Sequence, residues 1–375
     1  MRSIKSLIAG LAMVLLVTTG AFAGSDLNEV GAALVFPLVV ALDDDPLLPG
    51  TGIYETYVTI TNASEEAVFA HVAMINGDSE DDEYCYECDF TIPLSGNDTE
   101  MLILRNDPIG GTVIEAEPDG FGFNYFQHSC PADLGMLIVT LEDADGNTVT
   151  DNVLLGEEVL VNYSIGFALS VPAVSFQGQN GGNGDRSFGF DDVEYGKMPR
   201  IIATDFVAPN LGAGPGGQGV ERVIAEVALF TLNFRRQFPP FVDCSVTGFD
   251  ADENPFSRSI QFGCWDLFDL EDISPEFLHP NLGLFAQADT HGWLQLNCET
   301  YHGYTLAQAN GGVHGAIMQR LLGNSTVRRN DPAAPTIGDP QTQAAFGRLL
   351  YQSVTTGDAL TLDLESDANT AGGMF

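Results

Sequence analysis

Three groups of residues in this chain have the types and spacing that chemistry needs. Cys85-x-x-Cys88 is followed forty residues later by His128-x-Cys130, giving three thiolates and an imidazole. That is the ligand set of a structural tetrahedral Zn²⁺ site. Asp78-Ser79-Glu80-Asp81-Asp82-Glu83, continued by Glu87 and Asp89, puts seven carboxylates into twelve residues. Such a loop could grip Ca²⁺, a hard ion that takes six to eight oxygen ligands. His291-Gly292, His302-Gly303 and His314-Gly315 place three imidazoles at intervals of eleven and twelve residues, with Asp289 close by. Converging, they would hold a metal or act as general bases in a metal-dependent hydrolase.

Each group has a plainer reading, and the sequence favours it. An oxidising compartment turns cysteines into disulfides. Cys244 with Cys264 is the expected pair in the second half, and Cys130 pairs with Cys85 or Cys88 in the first. Three cysteines per half leave one odd thiol in each, so either a bond crosses the halves or two thiols stay free. The acidic loop reads as a solvated turn within an acidic protein. The histidine spacing also suits successive turns of a β-meander, and His71 reads as a packed, hydrogen-bonded core residue. Asp143-x-Asp145-x-Asn147 and Asp250-x-Asp252-x-Asn254 begin like EF-hand loops. Thr148 and Leu154 in the first, and Pro255 and Gln261 in the second, stand where Gly and Glu are required, so both read as turns. Gly212 to Gly217 satisfies G-x-G-x-x-G only formally, without a strand-to-helix junction.

Charge narrows the partners. Against 52 acids there are 14 bases, a formal net charge of −38. Between Gly24 and Asp185 there are 29 acids and one base, Arg105; from Arg186 onward there are 23 acids and 11 bases. Such a surface lacks the cations that displace counterions from nucleic acid, which is excluded as a partner, and anionic lipid is disfavoured. The acidity fits a saline environment, because the Debye length falls to about 3 Å at 1 M salt and screens self-repulsion.

The elements that must position these residues are β-strands. Residues 1–23 read as a secretory signal: Arg2 and Lys5, then the apolar Leu7 to Val17, then Ala21-Phe22-Ala23 before the cleavage point. The apolar stretch is too short for a comfortable membrane span, so no membrane insertion is expected. Tyr54 to Thr61, Val68 to Ile75, Met101 to Leu104, Met136 to Leu141 and Val159 to Tyr163 are short runs of strand composition separated by turn signals. Residues 177–196 open with Gln177-Gly178-Gln179-Asn180-Gly181-Gly182-Asn183-Gly184, which is linker chemistry. One helix is expected, Gln341 to Ser353, after the cap-like Asp339-Pro340. The expectation is a mainly β protein with two tandem β-sandwich domains, immunoglobulin-like or jelly-roll-like, at 24–176 and 197–375, plus that short C-terminal helix. Gly135-Met136-Leu137 and Gly292-Trp293-Leu294 each open an apolar run with a further glycine eleven residues on, as distant copies would.

Ala33-Leu34-Val35-Phe36-Pro37, Val58-Thr59-Ile60-Thr61-Asn62 and Cys130-Pro131…Gly135-x-Leu137 loosely resemble segments of exported bacterial proteins with tandem β-sandwich domains. The resemblance implies export and fold, and brings no activity with it. The expected function is an exported, non-catalytic binding or structural protein of the cell envelope or extracellular space. Its partner would be a protein or glycan there, and it needs no cofactor unless the acidic loop takes Ca²⁺. The alternatives are a Ca²⁺-dependent carbohydrate- or surface-binding module and the histidine-based hydrolase.

Overall fold

The computed structural model describes residues 26–27, 29–42, 54–77, 84–107, 110–116, 126–163, 167–179, 188–190, 194–209, 222–232, 241–250, 254–278, 291–302, 307–309, 312–324, 340–352 and 360–362. The expected signal, residues 1–23, and the expected Ca²⁺ ligands Asp78, Glu80, Asp81, Asp82 and Glu83 lie outside the described residues.

The first half contains β1 (Asp26–Leu27), β2 (Ala33–Val40), β3 (Tyr54–Asn62), β4 (Val68–Asn76), β5 (Glu87–Leu94), β6 (Asp98–Asn106) and β7 (Thr112–Ala116). It continues with β8 (Phe126–Cys130), β9 (Leu134–Glu142), β10 (Thr148–Val149), β11 (Leu154–Asn162), β12 (Phe167–Pro172) and β13 (Val174–Phe176). The second half contains β14 (Phe188–Phe190), β15 (Ile201–Val207), β16 (Arg222–Phe230), β17 (Phe241–Phe249), β18 (Pro255–Phe262) and β19 (Trp265–Asp269). A one-turn helix α1 (Leu270–Ile273) and a 3₁₀ turn (Pro275–Phe277) follow. The chain then runs through β20 (His291–His302), β21 (Ala307–Ala309), β22 (His314–Asn324), β23 (Pro340–Leu349), β24 (Tyr351–Gln352) and β25 (Leu360–Leu362).

These strands make four main antiparallel sheets, so the protein is mainly β as expected. Sheet I has the order β1-β13-β2-β9-β4-β5 with β10 on β9, and sheet II the order β12-β11-β3-β6-β7-β8. Sheet III runs β18-β17-β20-β15-β24 with β21 on β20, and sheet IV runs β19-β16-β22-β23. The small sheets read as a four-bladed, propeller-like arrangement rather than clearly as two tandem sandwiches. The expected helix at Gln341 to Ser353 is instead strand β23, paired with β22, followed by β24. Proline is tolerated at the first position of an edge strand, and Pro340 occupies that position in β23.

The strand order repeats between the halves. Sheet I contains β13-β2-β9-β4-β5 and sheet III contains β24-β15-β20-β17-β18; sheet II contains β12-β11-β3-β6 and sheet IV is β23-β22-β16-β19. Taken in chain order the two sets correspond strand for strand, with β9 matching β20. The repeated Gly135 and Gly292 sit at the same place in these two strands. A Cβ at Gly135 would strike the carbonyl oxygen of Ile75 on β4, and one at Gly292 the carbonyl oxygen of Phe249 on the corresponding β17.

Burial explains the hydropathy of the strands. Sheet I is covered on both faces: β2 and the inner part of β4 and β9 are buried at every position, and their sequences are continuous apolar runs. In sheet II, β3 alternates buried and half-buried. Leu34, Phe36, Val58, Ile60, Leu102 and Leu137 fill the core between sheets I and II. Val227, Leu229, Val242, Leu294 and Ile317 fill that between sheets III and IV. A third core joins the halves through Val35, Ile75, Ile138 and Phe176 on one side and Ile224, Phe230, Trp265 and Met318 on the other. Each such side chain contributes about 1.5–3 kcal/mol by leaving water. Phe190 and Tyr195, within the segment expected to be a linker, are buried in this third core.

That junction also consumes polar groups in pairs. The β2–β9 register shifts between Phe36 and Val39, at Pro37 and Leu38. The bulge turns two backbone groups out of the ladder. Trp265 Nε1 donates to the Pro37 carbonyl at 2.7 Å, and Leu38 N donates to Glu158 Oε1 at 3.1 Å. Burial holds the Glu158 carboxyl well above the usual carboxylate range, partly opposed by that N–H.

Candidate ligand-binding face

The cysteines form three disulfides, Cys85–Cys264, Cys88–Cys130 and Cys244–Cys298. The expected Cys244–Cys264 bond is therefore corrected. Cys244 and Cys298 stand directly opposite each other on β17 and β20, with Cα atoms 4.0 Å apart. Cys264, at the β18–β19 turn, instead reaches Cys85 in the other half. The Cys130 partner is Cys88. The four-ligand Zn²⁺ set is divided for the same reason: Cys85 is bonded to Cys264, while Cys88, His128 and Cys130 stay together with ligand atoms all within 4.8 Å of one another.

The His-Gly residues do not converge. His291 and His302 begin and end β20, which separates their backbones by about 37 Å at strand rise. His314 opens β22 in another sheet and is fully buried. Its Nδ1 accepts a hydrogen bond from Gly315 N at 2.8 Å, its ring lies 6.1 Å from that of Phe230, and burial pushes its pKa down to about 4. A general base exposed to substrate needs the opposite environment.

Of the expected Ca²⁺ ligands, Glu87 and Asp89 are described, both half-buried on β5. Asp89 Oδ2 lies 3.7 Å from His71 Nε2, and Glu142 Oε1 lies 3.2 Å from His71 Nδ1. His71 is the buried core residue its sequence context implies. The first EF-hand-like opening is a turn, and residues 251–253 of the second lie outside the described residues. Asp143 accepts from the side-chain amide of Asn147 and from the backbone N–H groups of Asn147 and Asp145, which lowers its pKa, and Asp250 accepts from the backbone N–H of Asn254.

The residues that do assemble on an accessible surface are those of the outer face of sheet III. Alternation in β17 turns Val242, Cys244, Val246 and Gly248 inward and leaves Phe241, Asp243, Ser245, Thr247 and Phe249 exposed or half-buried. On β20 the outward set is Trp293, Gln295, Asn297, Glu299 and Tyr301. Register pairs them across the strands: Phe241 with Tyr301, Asp243 with Glu299, Ser245 with Asn297, Thr247 with Gln295 and Phe249 with Trp293. The result is a row of carboxylates, hydroxyls and amides closed at each end by an aromatic pair. Phe249 and Trp293 stack with centroids 3.8 Å apart and planes 6° from parallel; Phe241 and Tyr301 are 6.1 Å apart and tilted. Strand β18 widens the face with exposed Ser257, Ser259 and Gln261. At its margin Arg200 pairs with Glu299, whose other oxygen accepts from Tyr301 Oη at 2.8 Å. Period-two aromatic ends around polar residues were readable in the sequence, but only pairing places the two strands side by side.

This face chemically offers ring surfaces, hydrogen-bond donors and acceptors, and little positive charge. Among the described residues no helix is long and apolar enough to cross a membrane. No protein-family model and no curated protein matches the chain. The solved structure of infectious bursal disease virus Gt strain aligns over 90% of this chain and 76% of its own at 9% identity and a TM-score of 0.15. That of the Gx strain aligns over the same shares at 9% identity and a TM-score of 0.13. Likeness at that level carries no argument about fold or function.

Proposed function

We propose that this is an exported, non-catalytic binding protein that holds a neutral glycan chain on the outer face of sheet III. The observation that carries the reading is the placement of aromatic pairs at both ends of one hydroxyl- and amide-lined face. Eight residue steps of β17 lead from Phe241 to Phe249, so the pairs are about 27 Å apart. That spacing suits an extended oligosaccharide rather than a single sugar. Aromatic rings lie against the apolar faces of sugars, while amides and hydroxyls exchange hydrogen bonds with sugar hydroxyls. Asp243, Glu299 and the net charge of −38 select against anionic polymers.

Three disulfides support export into an oxidising compartment, in keeping with the signal-like first residues. The acidic surface is an adaptation to saline surroundings. The repeated strand order supports descent from two copies of one sandwich-like unit, fused through the third core. Native gels cast with neutral polysaccharides test the function: at least one should retard the wild-type chain, and Trp293→Ala should migrate as in a plain gel. Retardation by anionic polymers alone would refute the assignment.

A further inference from the structure

We propose that Cys88, His128 and Cys130 form a second, redox-gated site: closed by a disulfide when oxidised, and a binding site for a thiophilic divalent ion such as Zn²⁺ once reduced. Cys88 lies on β5, the edge strand of sheet I, and His128 and Cys130 lie on β8, the edge strand of sheet II. The Cys88–Cys130 bond therefore staples the open side of the first half's two sheets. His128 Nε2 already faces Cys88 Sγ at 3.2 Å, and the three ligand atoms fall within 4.8 Å of one another. The one-residue spacing of His128 and Cys130, tight for a loop, is the natural spacing on a strand, where alternate residues share a face.

A packing contact orients the imidazole: the His128 ring lies against that of Phe90, with centroids 5.2 Å apart.

Accessibility gates the site. Cys88 is half-buried, whereas Cys85, Cys130, Cys244, Cys264 and Cys298 are at most 5% exposed. Thiolate attack requires access to a disulfide sulfur, so a dithiol reductant meets Cys88 first. It delivers two electrons and two protons to the Cys88–Cys130 bond and leaves as its own disulfide. The incoming ion then displaces the two thiol protons, replacing a covalent staple with a coordinate one.

The test uses the full-length chain. Partial reduction with a dithiol, followed by alkylation and mass spectrometry, should label Cys88 and Cys130 before the other four. The partly reduced protein should bind one equivalent of Co²⁺ with thiolate-to-cobalt charge-transfer absorption, displaced by Zn²⁺. His128→Asn should weaken Co²⁺ binding by at least about tenfold, the loss known for groups one shell further out. Cys88→Ser with Cys130→Ser should abolish it, with the native circular dichroism kept by the two remaining disulfides. Equal Co²⁺ binding by the oxidised wild type, unchanged affinity in His128→Asn, or first labelling of another cysteine pair would each overturn the proposal.

Discussion

Arg320 and Glu226 form an ion pair at 2.8 Å with their side chains only 1% and 2% exposed. They sit on β22 and β16 of sheet IV, and the Arg320 guanidinium also donates to Tyr54 Oη at 2.7 Å, across the junction from β3 of the first half. A charge pair buried in the shared core ties the halves into one unit. Removing one member of such a pair costs about 3–5 kcal/mol, because the other is left uncompensated. Arg320→Leu should therefore lower unfolding free energy by about that amount. Arg320→Leu with Glu226→Leu should recover most of it, as measured by denaturant titration. A double-variant loss equal to the sum of the Arg320→Leu and Glu226→Leu losses would show that the pair is not coupled.

Trp265 is the other anchor. Its indole N–H satisfies the Pro37 carbonyl in the β2 bulge, and its ring is 1% exposed. Trp265→Phe should cost about 1–3 kcal/mol from the orphaned carbonyl alone, with the smaller ring adding to it. Hydrogen exchange should report loss of protection in both halves at once. Exchange rising in the second half alone would contradict a shared core.

His314 makes stability depend on pH. Its folded pKa of about 4 lies below its ordinary 6.5, so between those values the unfolded chain binds a proton that the native state refuses. The contribution is fully present above about pH 6.5 and is lost as pH falls toward 4. Burial raises Asp266 to about 6 and Asp269 to about 7, which gives the opposite slope as pH rises from about 4. His314→Gln should leave only the acidic trend, so its Tm relative to wild type should improve as pH is lowered from 7 to 4.5. A pH-independent difference would remove His314 as the source.

The first half holds 29 acids against Arg105, whose guanidinium lies 3.2 Å from Glu55 and 3.1 Å from Glu115. One cation shared by two carboxylates leaves the remaining repulsion to salt. Raising NaCl from about 0.1 to 1 M shortens the Debye length from about 10 to 3 Å and should raise Tm. Hydrogen exchange should slow more in β3, β6 and β11 than in β17 and β20. Equal slowing would make the charge asymmetry incidental.

What was legible in the sequence follows from what depends on local pattern. Continuous apolar runs such as Met136 to Leu141 marked strands, and here they mark the sheet covered on both faces. Gly135 and Gly292 marked equivalent strands because a neighbouring carbonyl crowds both. Asp143 to Asn147 was legible as a turn, and its first carboxylate accepts from the turn's own N–H groups. The illegible parts depend on register. Cys244 could be matched to Cys298 only by knowing that β20 lies beside β17, and Pro340 serves an edge strand as readily as a helix start. The sheet III face was written as Phe241-x-Asp243-x-Ser245-x-Thr247-x-Phe249 and Trp293-x-Gln295-x-Asn297-x-Glu299-x-Tyr301. Either string alone is an ordinary half-exposed strand; opposed, they make a surface.

Binding at that surface is measured most directly by calorimetric titration of the wild type and Trp293→Ala with oligosaccharides of a gel-retarding neutral polysaccharide. The account predicts a saturable heat for the wild type that grows with oligomer length up to the span between the aromatic pairs. It also predicts at least about tenfold weaker binding by a variant of unchanged fold, as truncation of an aromatic anchor costs 2 kcal/mol or more. Undiminished binding by the folded Trp293→Ala protein would contradict it.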